Sequence, residues 1–167
     1  MLRKLEKKDA QLMLEWMKDP DINSIFSVNF AEFTEEKVLN FINDSFSEKN
    51  QHFAVVDDND EYQGTISLKN ISDIDKNAEY AVVFRKKAQG TGAAGKATKE
   101  ILRYAFEELE LERVYLNVLE ENMRARKFYE KAGFKQEGIF KKHKFIGNRF
   151  QNLCWYGILR EEFQFED

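Results

Sequence analysis

A glycine-rich segment near the middle of the chain carries the residue types that bind phosphate groups. Residues 89–97 read Gln-Gly-Thr-Gly-Ala-Ala-Gly-Lys-Ala and lead into a stretch with the apolar periodicity of a helix. Glycines let the backbone approach a ligand closely, and free amides at the start of a helix attract phosphate oxygens. The segment therefore predicts a site for a phosphorylated ligand.

Two nucleotide-binding patterns match this segment in letters but not in context. Residues 90–95 fit Gly-x-Gly-x-x-Gly, yet that dinucleotide-binding pattern follows its strand almost directly, whereas five residues separate Phe84 from Gly90. Residues 90–96 also fit the Gly-x-x-x-x-Gly-Lys of a P-loop, but Ala97 stands where the magnesium-binding hydroxyl is required. We therefore set aside a dinucleotide-dependent enzyme and a nucleotide hydrolase.

A third pattern fits both the letters and the context. Gln89, Gly92 and Ala94 match Gln/Arg-x-x-Gly-x-Gly/Ala at the start of a long helix. A second pattern follows it and consists of Leu116, Val118, Asn122, Ala125, Tyr129, Gly133 and Phe134. In this order and at this distance, the two patterns resemble the GNAT acetyltransferase superfamily. The resemblance runs from the strand with Glu79 to residues 155–159 and covers most of the chain.

The resemblance implies that the glycine-rich segment binds the pyrophosphate of acetyl-coenzyme A. Backbone amides of the loop would hold the pyrophosphate, aided by the helix dipole. The pantetheine arm would pair like an additional strand with the backbone near Val82 and Phe84, and Asn122 would hydrogen-bond the same arm. The expected cofactor-binding residues are Val82, Phe84, Gln89, Gly90, Thr91, Gly92, Ala94, Gly95 and Asn122.

The resemblance also assigns a general acid and leaves the general base open. Tyr129 matches the family's tyrosine, whose phenol would protonate the departing thiolate; its alternative is a packing role beside Phe128. In some relatives a glutamate occupies the strand position of Asn117, and an amide cannot take up a proton. Glu79, on the strand before the loop, is our candidate base, acting directly or through water. An amine that is already neutral would need no protein base.

Residues 16–33 bear on the identity of the acceptor amine. They resemble two branches of the superfamily, which acetylate ribosomal-protein N-termini or the 4-amino groups of nucleotide-linked deoxysugars. The run Asp19-Pro20-Asp21-Ile22-Asn23 favours the second branch. Asn152 stands where the ribosomal branch usually has an aspartate. A polyamine acetyltransferase remains an alternative, as does a module that binds coenzyme A or a metabolite without catalysis.

Each acceptor would need its own set of side chains. A nucleotide-linked sugar would use aromatic and cationic groups, for which the candidates are Phe26, Phe30, His143 and Arg149. A polyamine would use carboxylates, for which the candidates are Asp73, Asp75 and Glu79. In either case the expected reaction is direct acetyl transfer to a primary amine through a ternary complex. His52 and His143 have unrelated spacing, so we expect no metal site.

Composition bounds the class of protein. The chain has 167 residues, of which 43% are hydrophobic and 34% charged, with a formal net charge of -4. The length suits one domain over residues 1–167, and the acidic balance argues against a nucleic-acid partner. No run approaches the roughly 20 apolar residues of a membrane span, and the N-terminus lacks the apolar core of a signal peptide. We therefore expect a cytoplasmic protein, with a buried and inert thiol at Cys154.

Hydrophobic periodicity supplies the elements that would position these residues. Helices are predicted from near Asp9, after a Thr34 cap, after the glycine-rich loop, and over residues 123–132. Strands are predicted at residues 53–56, 62–68, 78–84, 114–119 and 153–159, with an alternating tail over 134–150. The order predicts an α+β fold, with a central, mixed, mostly antiparallel sheet flanked by helices. The strand at 153–159 is expected to be an exposed edge and a homodimer contact.

Overall fold

Seven strands form one sheet in the computed structural model, which describes residues 1–26 and 28–165. The strands are β1 Leu2–Lys4, β2 Gln51–Val56, β3 Tyr62–Ser72, β4 Asn77–Phe84, β5 Arg113–Leu119, β6 Lys135–Ile146 and β7 Arg149–Leu159. The helices of the described residues are α1 Ala10–Met17, α2 Pro20–Asn23, α3 Glu35–Asn43, α4 Ala93–Glu107 and α5 Met123–Lys131. None of these helices is long and apolar enough to cross a membrane.

The strand order is β1-β2-β3-β4-β5-β7-β6, and only one neighbouring pair is parallel among the described strands. β4 and β5 run parallel, and the other neighbours run antiparallel. A parallel pair needs a crossover connection, which α4 supplies between β4 and β5. The sheet is therefore mixed and mostly antiparallel, which confirms the predicted α+β fold.

Different helices cover the two faces of the sheet. α4 packs on one face, where Ile101 shares a buried cluster with Val55. α1 and α3 pack on the opposite face, where Met13 and Val38 share a second cluster with Ala54. Val55 and Ala54 are consecutive, and successive strand residues point to opposite faces. The short apolar run in β2 therefore contributes to both halves of the core.

Polar side chains fix the starts of two helices before the sheet. Thr34 Oγ1 accepts a hydrogen bond from the amide of Lys37 at 3.3 Å and caps α3, as predicted. Pro20 follows the end of α1 at Met17 and is the first residue of α2, with Asp19 as the cap. Proline suits that position because its fixed φ matches a helix and no N–H is needed there.

β7 lies inside the sheet, so the prediction that residues 153–159 form an exposed edge is wrong. β7 pairs with β5 on one side and with β6 on the other, which removes the basis for the predicted dimer contact. The reversal lies at Gly147 and Asn148, whose φ values of +62° and +60° suit a two-residue hairpin turn. Cys154 is buried within β7, and burial raises the pKa of its thiol, as expected of an inert cysteine.

Candidate active site

A cleft opens where β4 and β5 separate. The two strands pair over only three positions, from Asn77 with Arg113 to Glu79 with Tyr115. Beyond Glu79 the strands diverge, and a cleft of about 1910 Å³ lies between them, with Val82 and Phe84 in its wall. An arm that binds like an additional strand needs such an unpaired strand edge. The backbone near Val82 and Phe84 is therefore placed as the sequence predicted.

The glycine-rich loop forms one end of this cleft. Gly90 and Gly92 adopt φ values of +81° and +85°, a left-handed conformation that favours glycine. Within the described chain, no acceptor is found for five amides of the loop and first helical turn, those of Gly90, Thr91, Gly92, Ala94 and Gly95. A Cβ added at Gly90, Gly92 or Gly95 would meet no atom within 4 Å. The loop thus presents free donors to open space, which fits a diphosphate.

Gln89 connects this loop to both walls of the cleft. Its Nε2 donates to the carbonyl of Phe84 at the end of β4, at 3.4 Å. Its Oε1 accepts a hydrogen bond from Arg124 Nη1 on α5, at 3.1 Å. The hydroxyl of Thr91 donates to the carbonyl of Ala88 at 2.8 Å and tightens the turn. Gln89 therefore supports the loop, and its own contact with a cofactor stays a prediction.

A buried guanidinium ties the beginning of the loop to α1. Arg85 is only 5% exposed, and its Nε and Nη2 donate to the two carboxylate oxygens of Glu15 at 2.9 and 2.7 Å. Its Nη1 donates to Glu61 Oε1 at 2.8 Å. The neighbouring Lys86 pairs with Asp21 at 2.7 Å. Arg85 and Lys86 thus hold protein elements together and do not act as free phosphate ligands.

Tyr129 lines the cleft from α5 in the state that a general acid requires. Its ring packs among Tyr80, Phe128, Phe134 and Tyr156, at centroid distances of 5.9, 5.4, 6.1 and 6.5 Å. Burial raises the pKa of Tyr129 to about 12, so the phenol keeps its proton at neutral pH. Its hydroxyl makes no hydrogen bond to any described residue. The predicted packing role and the predicted acid role are therefore compatible.

Glu79 lies where β4 and β5 begin to separate, and both of its oxygens accept hydrogen bonds. Lys69 Nζ donates to Oε1 at 3.0 Å, and Asn70 Nδ2 donates to Oε2 at 2.9 Å. The side chain is 18% exposed and borders the cleft. Two donors fix the orientation of a carboxylate but leave each oxygen a further lone pair. Glu79 can thus still accept a proton from a bound amine or water.

Asn122 has a structural task beside its predicted one. Its Oδ1 accepts a hydrogen bond from the amide of Ala125 at 3.1 Å and caps α5, the helix that carries Tyr129. Its Nδ2 donates to no described residue, and the side chain borders the cleft. One end of the amide therefore orients the helix, and the other end is available to a ligand.

Aromatic side chains form one wall of the cleft. Phe26 and Phe30 lie 6.3 and 5.3 Å from Trp16, and Phe30 lies 5.1 Å from Phe33. His143 and Arg149 border the same cleft from the hairpin of β6 and β7. All four side chains that were predicted for a nucleotide-linked sugar therefore border the cleft.

The carboxylates predicted for a polyamine are not gathered in the same way. Asp73 and Asp75 lie in the turn between β3 and β4 and do not border the cleft. Asp75 instead closes that turn, where Ser72 Oγ donates to its Oδ2 at 3.2 Å. Only Glu79 of the three borders the cleft, because the turn projects beyond the end of the sheet at which β4 and β5 pair.

Lys69 is a site residue that the sequence reasoning missed. It is the cross-strand partner of Glu79, although the register of β3 and β4 shifts between Lys69 and Ser72. Ser72 stands opposite Asn77, so pairing traced outward from the turn would place Tyr80, and not Glu79, opposite Lys69. The sequence alone therefore gives no signal for this pair.

Comparison with known proteins identifies the family of the chain. The model of the acetyltransferase (GNAT) domain family matches residues 1–135. The N-acetyltransferase YnaD of Bacillus subtilis is 30% identical over 163 residues, 97% of this chain and 94% of that protein. The spermidine N(1)-acetyltransferase of Vibrio cholerae is 30% identical over 165 residues, again 97% and 94%.

A solved structure extends the similarity to three dimensions. The spermidine N-acetyltransferase of Vibrio cholerae in complex with CoA and spermine has a TM-score of 0.90 and 27% sequence identity to this chain. The match covers 98% of this chain and 96% of that one. The matched chain includes the splayed strands, the glycine-rich loop and Tyr129. The chain belongs to the GNAT acetyltransferase family and is an N-acetyltransferase.

Proposed function

We propose that this enzyme transfers an acetyl group from acetyl-coenzyme A directly to the primary amine of a nucleotide-linked amino sugar. Both substrates would occupy the cleft at once, the coenzyme along β4 and the sugar between the aromatic wall and the β6–β7 hairpin. The observation that carries the acceptor assignment is the distribution of charge around the cleft.

Every carboxylate that borders the cleft in the described chain already has a cationic partner. The pairs are Asp21 with Lys86 at 2.7 Å, Glu79 with Lys69 at 3.0 Å, Glu121 with Arg149 at 2.6 Å and Glu162 with Lys135 at 2.5 Å. By contrast, His143 and Lys144 border the cleft and pair with no carboxylate of the described residues. A polycation would have to compete with Lys86, Lys69, Lys135 and Arg149 for these carboxylates, whereas a diphosphate would meet the unpaired ammonium of Lys144 and the imidazole of His143. The charges therefore favour an anionic acceptor.

Two residues would handle the two proton transfers of the reaction, one at the attacking amine and one at the departing sulfur. Acetyl-coenzyme A supplies an acetyl thioester when bound. Glu79 accepts the proton of the attacking amine, directly or through water, as the carbon–nitrogen bond forms. Tyr129 donates its proton to the departing sulfur as the carbon–sulfur bond breaks. The loop amides between Gly90 and Gly95 hold the diphosphate of the coenzyme through both events.

Spermidine is the second candidate acceptor, because two of the similar proteins carry that substrate in their names. In that case the amine would approach the same Glu79 and Tyr129, but its distal cations would have to displace Lys86 or Arg149 from their carboxylate partners. The proposal thus predicts activity with spermidine that is much lower than with an amino sugar.

A thiol-release assay with a panel of amines tests the assignment. The panel contains a nucleotide-linked 4-amino-4-deoxysugar, spermidine and a peptide with a free N-terminus, each titrated at saturating acetyl-coenzyme A. We expect the highest kcat/KM for the amino sugar. A higher value for spermidine or the peptide would overturn the acceptor assignment. Binding of coenzyme A without release of thiol for any amine would instead favour a non-catalytic binding module.

A further inference from the structure

β6 bulges where it passes the cleft. Phe140 pairs with Leu153 and Lys144 pairs with Gln151, so residues 141–143 of β6 stand opposite Asn152 alone. A bulge of this kind bends its strand and changes the direction in which side chains point. The strand is regular again at the hairpin turn, so the distortion is confined to the part beside the cleft.

Asn152 holds the bulge in place with both ends of its amide. Its Oδ1 accepts a hydrogen bond from the amide of Lys142 at 2.8 Å, and its Nδ2 donates to Glu120 Oε2 at 2.7 Å. The amide of Glu120 in turn donates to the carbonyl of Asn152 at 3.0 Å. Lys142 adopts a φ of +52°, which is uncommon for a residue other than glycine. Such local strain persists where the surroundings fix it, and it concentrates at functional sites.

The bulge brings donors to the rim of the cleft. His143 and Lys144 border the cleft on β6, and Arg149 borders it on the adjoining β7. The ring of His143 lies 5.4 Å from Phe140, which in turn lies 5.2 Å from Trp155 on the cleft wall. The indole N–H of Trp155 is buried and has no acceptor within the described part of the chain. This rim therefore offers several hydrogen-bond donors, among them the ammonium of Lys144, which has no carboxylate partner within the described residues.

We infer that the bulged segment of β6 binds the diphosphate of the acceptor substrate, with His143 and Lys144 as its direct contacts. Asn152 acts as a positioning residue, because its two hydrogen bonds hold the backbone that directs these side chains. The inference rests on the proposed function, since it assigns the anionic part of the proposed acceptor to a place in the cleft. Charge-assisted hydrogen bonds from neighbouring donors match the oxygen atoms of a diphosphate.

This site is separate from the glycine-rich loop. β5 and β7 lie between β4 and β6, so three strand spacings of about 4.8 Å, at least about 14 Å in all, separate the two strands, and the divergence of β4 and β5 adds to this distance. A protein saturated with coenzyme A should therefore still bind inorganic diphosphate. That separation allows the second site to be measured without interference from the first.

Calorimetric titration of inorganic diphosphate into the enzyme saturated with coenzyme A tests the inference. We expect saturable binding to the wild type and a dissociation constant at least tenfold higher for the double variant His143→Gln/Lys144→Gln. The matched control is Lys141→Gln, which removes a cation from the same strand at a position that does not border the cleft. The control should bind diphosphate like the wild type.

Asn152→Ala tests the positioning role. We expect weaker diphosphate binding and a raised KM for the acceptor, with an unchanged dissociation constant for coenzyme A as proof of an intact fold. Absence of saturable binding to the wild type, or equal losses in the double variant and in Lys141→Gln, would overturn the site. If the double variant loses diphosphate binding, Lys141→Gln keeps it, and the wild type does not acetylate amino sugars, the diphosphate site stands. Only the proposed acceptor is then refuted.

Discussion

The two sides of the cleft are built from different parts of the polypeptide. The proposed cofactor side consists of backbone: the free amides of Gly90, Thr91, Gly92, Ala94 and Gly95, two left-handed glycines and the unpaired edge of β4. The proposed acceptor side consists of side chains from α1, the segment around Phe30 and the β6–β7 hairpin. A site made of backbone restricts which residues can form it, whereas a site made of side chains can be assembled from any exposed positions. The first kind leaves a recognisable sequence pattern, and the second does not.

Replacement of Tyr129 by phenylalanine should have the largest effect, because it removes the proposed general acid. We expect kcat to fall by about 10²- to 10⁴-fold, with an unchanged affinity for coenzyme A. Because burial raises the pKa of Tyr129 to about 12, its ionisation should not reduce the wild-type rate below about pH 10. Steady-state kinetics and calorimetry check both statements. Tyr104→Phe, which removes a phenol outside the cleft, is the control, and an undiminished rate would exclude Tyr129 as the acid.

Replacement of Gly92 by valine should damage the cofactor side alone. A β-branched residue disfavours a φ of +85° by about 1–3 kcal/mol. The free loop should therefore relax to another conformation, and restoring the binding conformation would weaken the binding of coenzyme A roughly 5- to 150-fold. Binding of diphosphate at the β6 bulge should not change, which would show that the two sides of the cleft bind their ligands independently. Gly138→Ala is the matched control, because its added Cβ meets no atom within 4 Å and its φ is not positive. Normal affinity of the valine variant would refute the backbone cradle.

Replacement of Glu79 by glutamine should have an intermediate effect, because this residue lies at the junction of the two sides. Glutamine keeps the acceptor for Lys69 but cannot take up a proton, so we expect kcat to fall about tenfold or more near neutral pH. The loss should shrink as the pH is raised, because a larger fraction of the acceptor amine is then neutral in solution. A pH–rate profile measures this, and a loss of equal size at every pH would argue against a base.

Replacement of His52, which borders the cleft, should have the smallest effect, a change in how the free energy of unfolding depends on pH. Burial, with a contribution from the charge of Lys69, lowers the pKa of His52 from 6.5 to about 4. The unfolded chain therefore gains a proton on His52 that the folded chain does not, and the free energy of unfolding falls as the pH drops from 6.5 towards 4. His52→Gln, which retains a polar partner for Ser67, should lose this component of the pH dependence. Urea denaturation at pH 7 and pH 5 measures it, with the exposed His143→Gln as a control that keeps the component.

Much of the fold was predictable because long elements repeat their apolar positions. The helix after the glycine-rich loop, β5 and the helix with Tyr129 were all placed within a few residues. β1 was missed because three residues cannot establish a period. The edge position of residues 153–159 was wrongly assigned, because the order of β6 and β7 depends on how a hairpin folds back and not on the composition of either strand.

The candidate site divides in the same way. The loop, Tyr129 and Asn122 follow from patterns that are local in the sequence. The partnership of Glu79 with Lys69 depends on strand register, and the support of Lys142 by Asn152 depends on a bulge. Both are set by pairing between strands, and a single sequence contains no direct signal for either.

Arg85 also bears on the order in which the two substrates bind. Its buried guanidinium binds Glu15 of α1 and stands directly before the loop, so the loop and α1 cannot move apart without breaking both hydrogen bonds to Glu15. The acceptor site should therefore keep its shape when the coenzyme dissociates. We expect the two substrates to bind in random order, because the binding of neither is needed to form the site of the other.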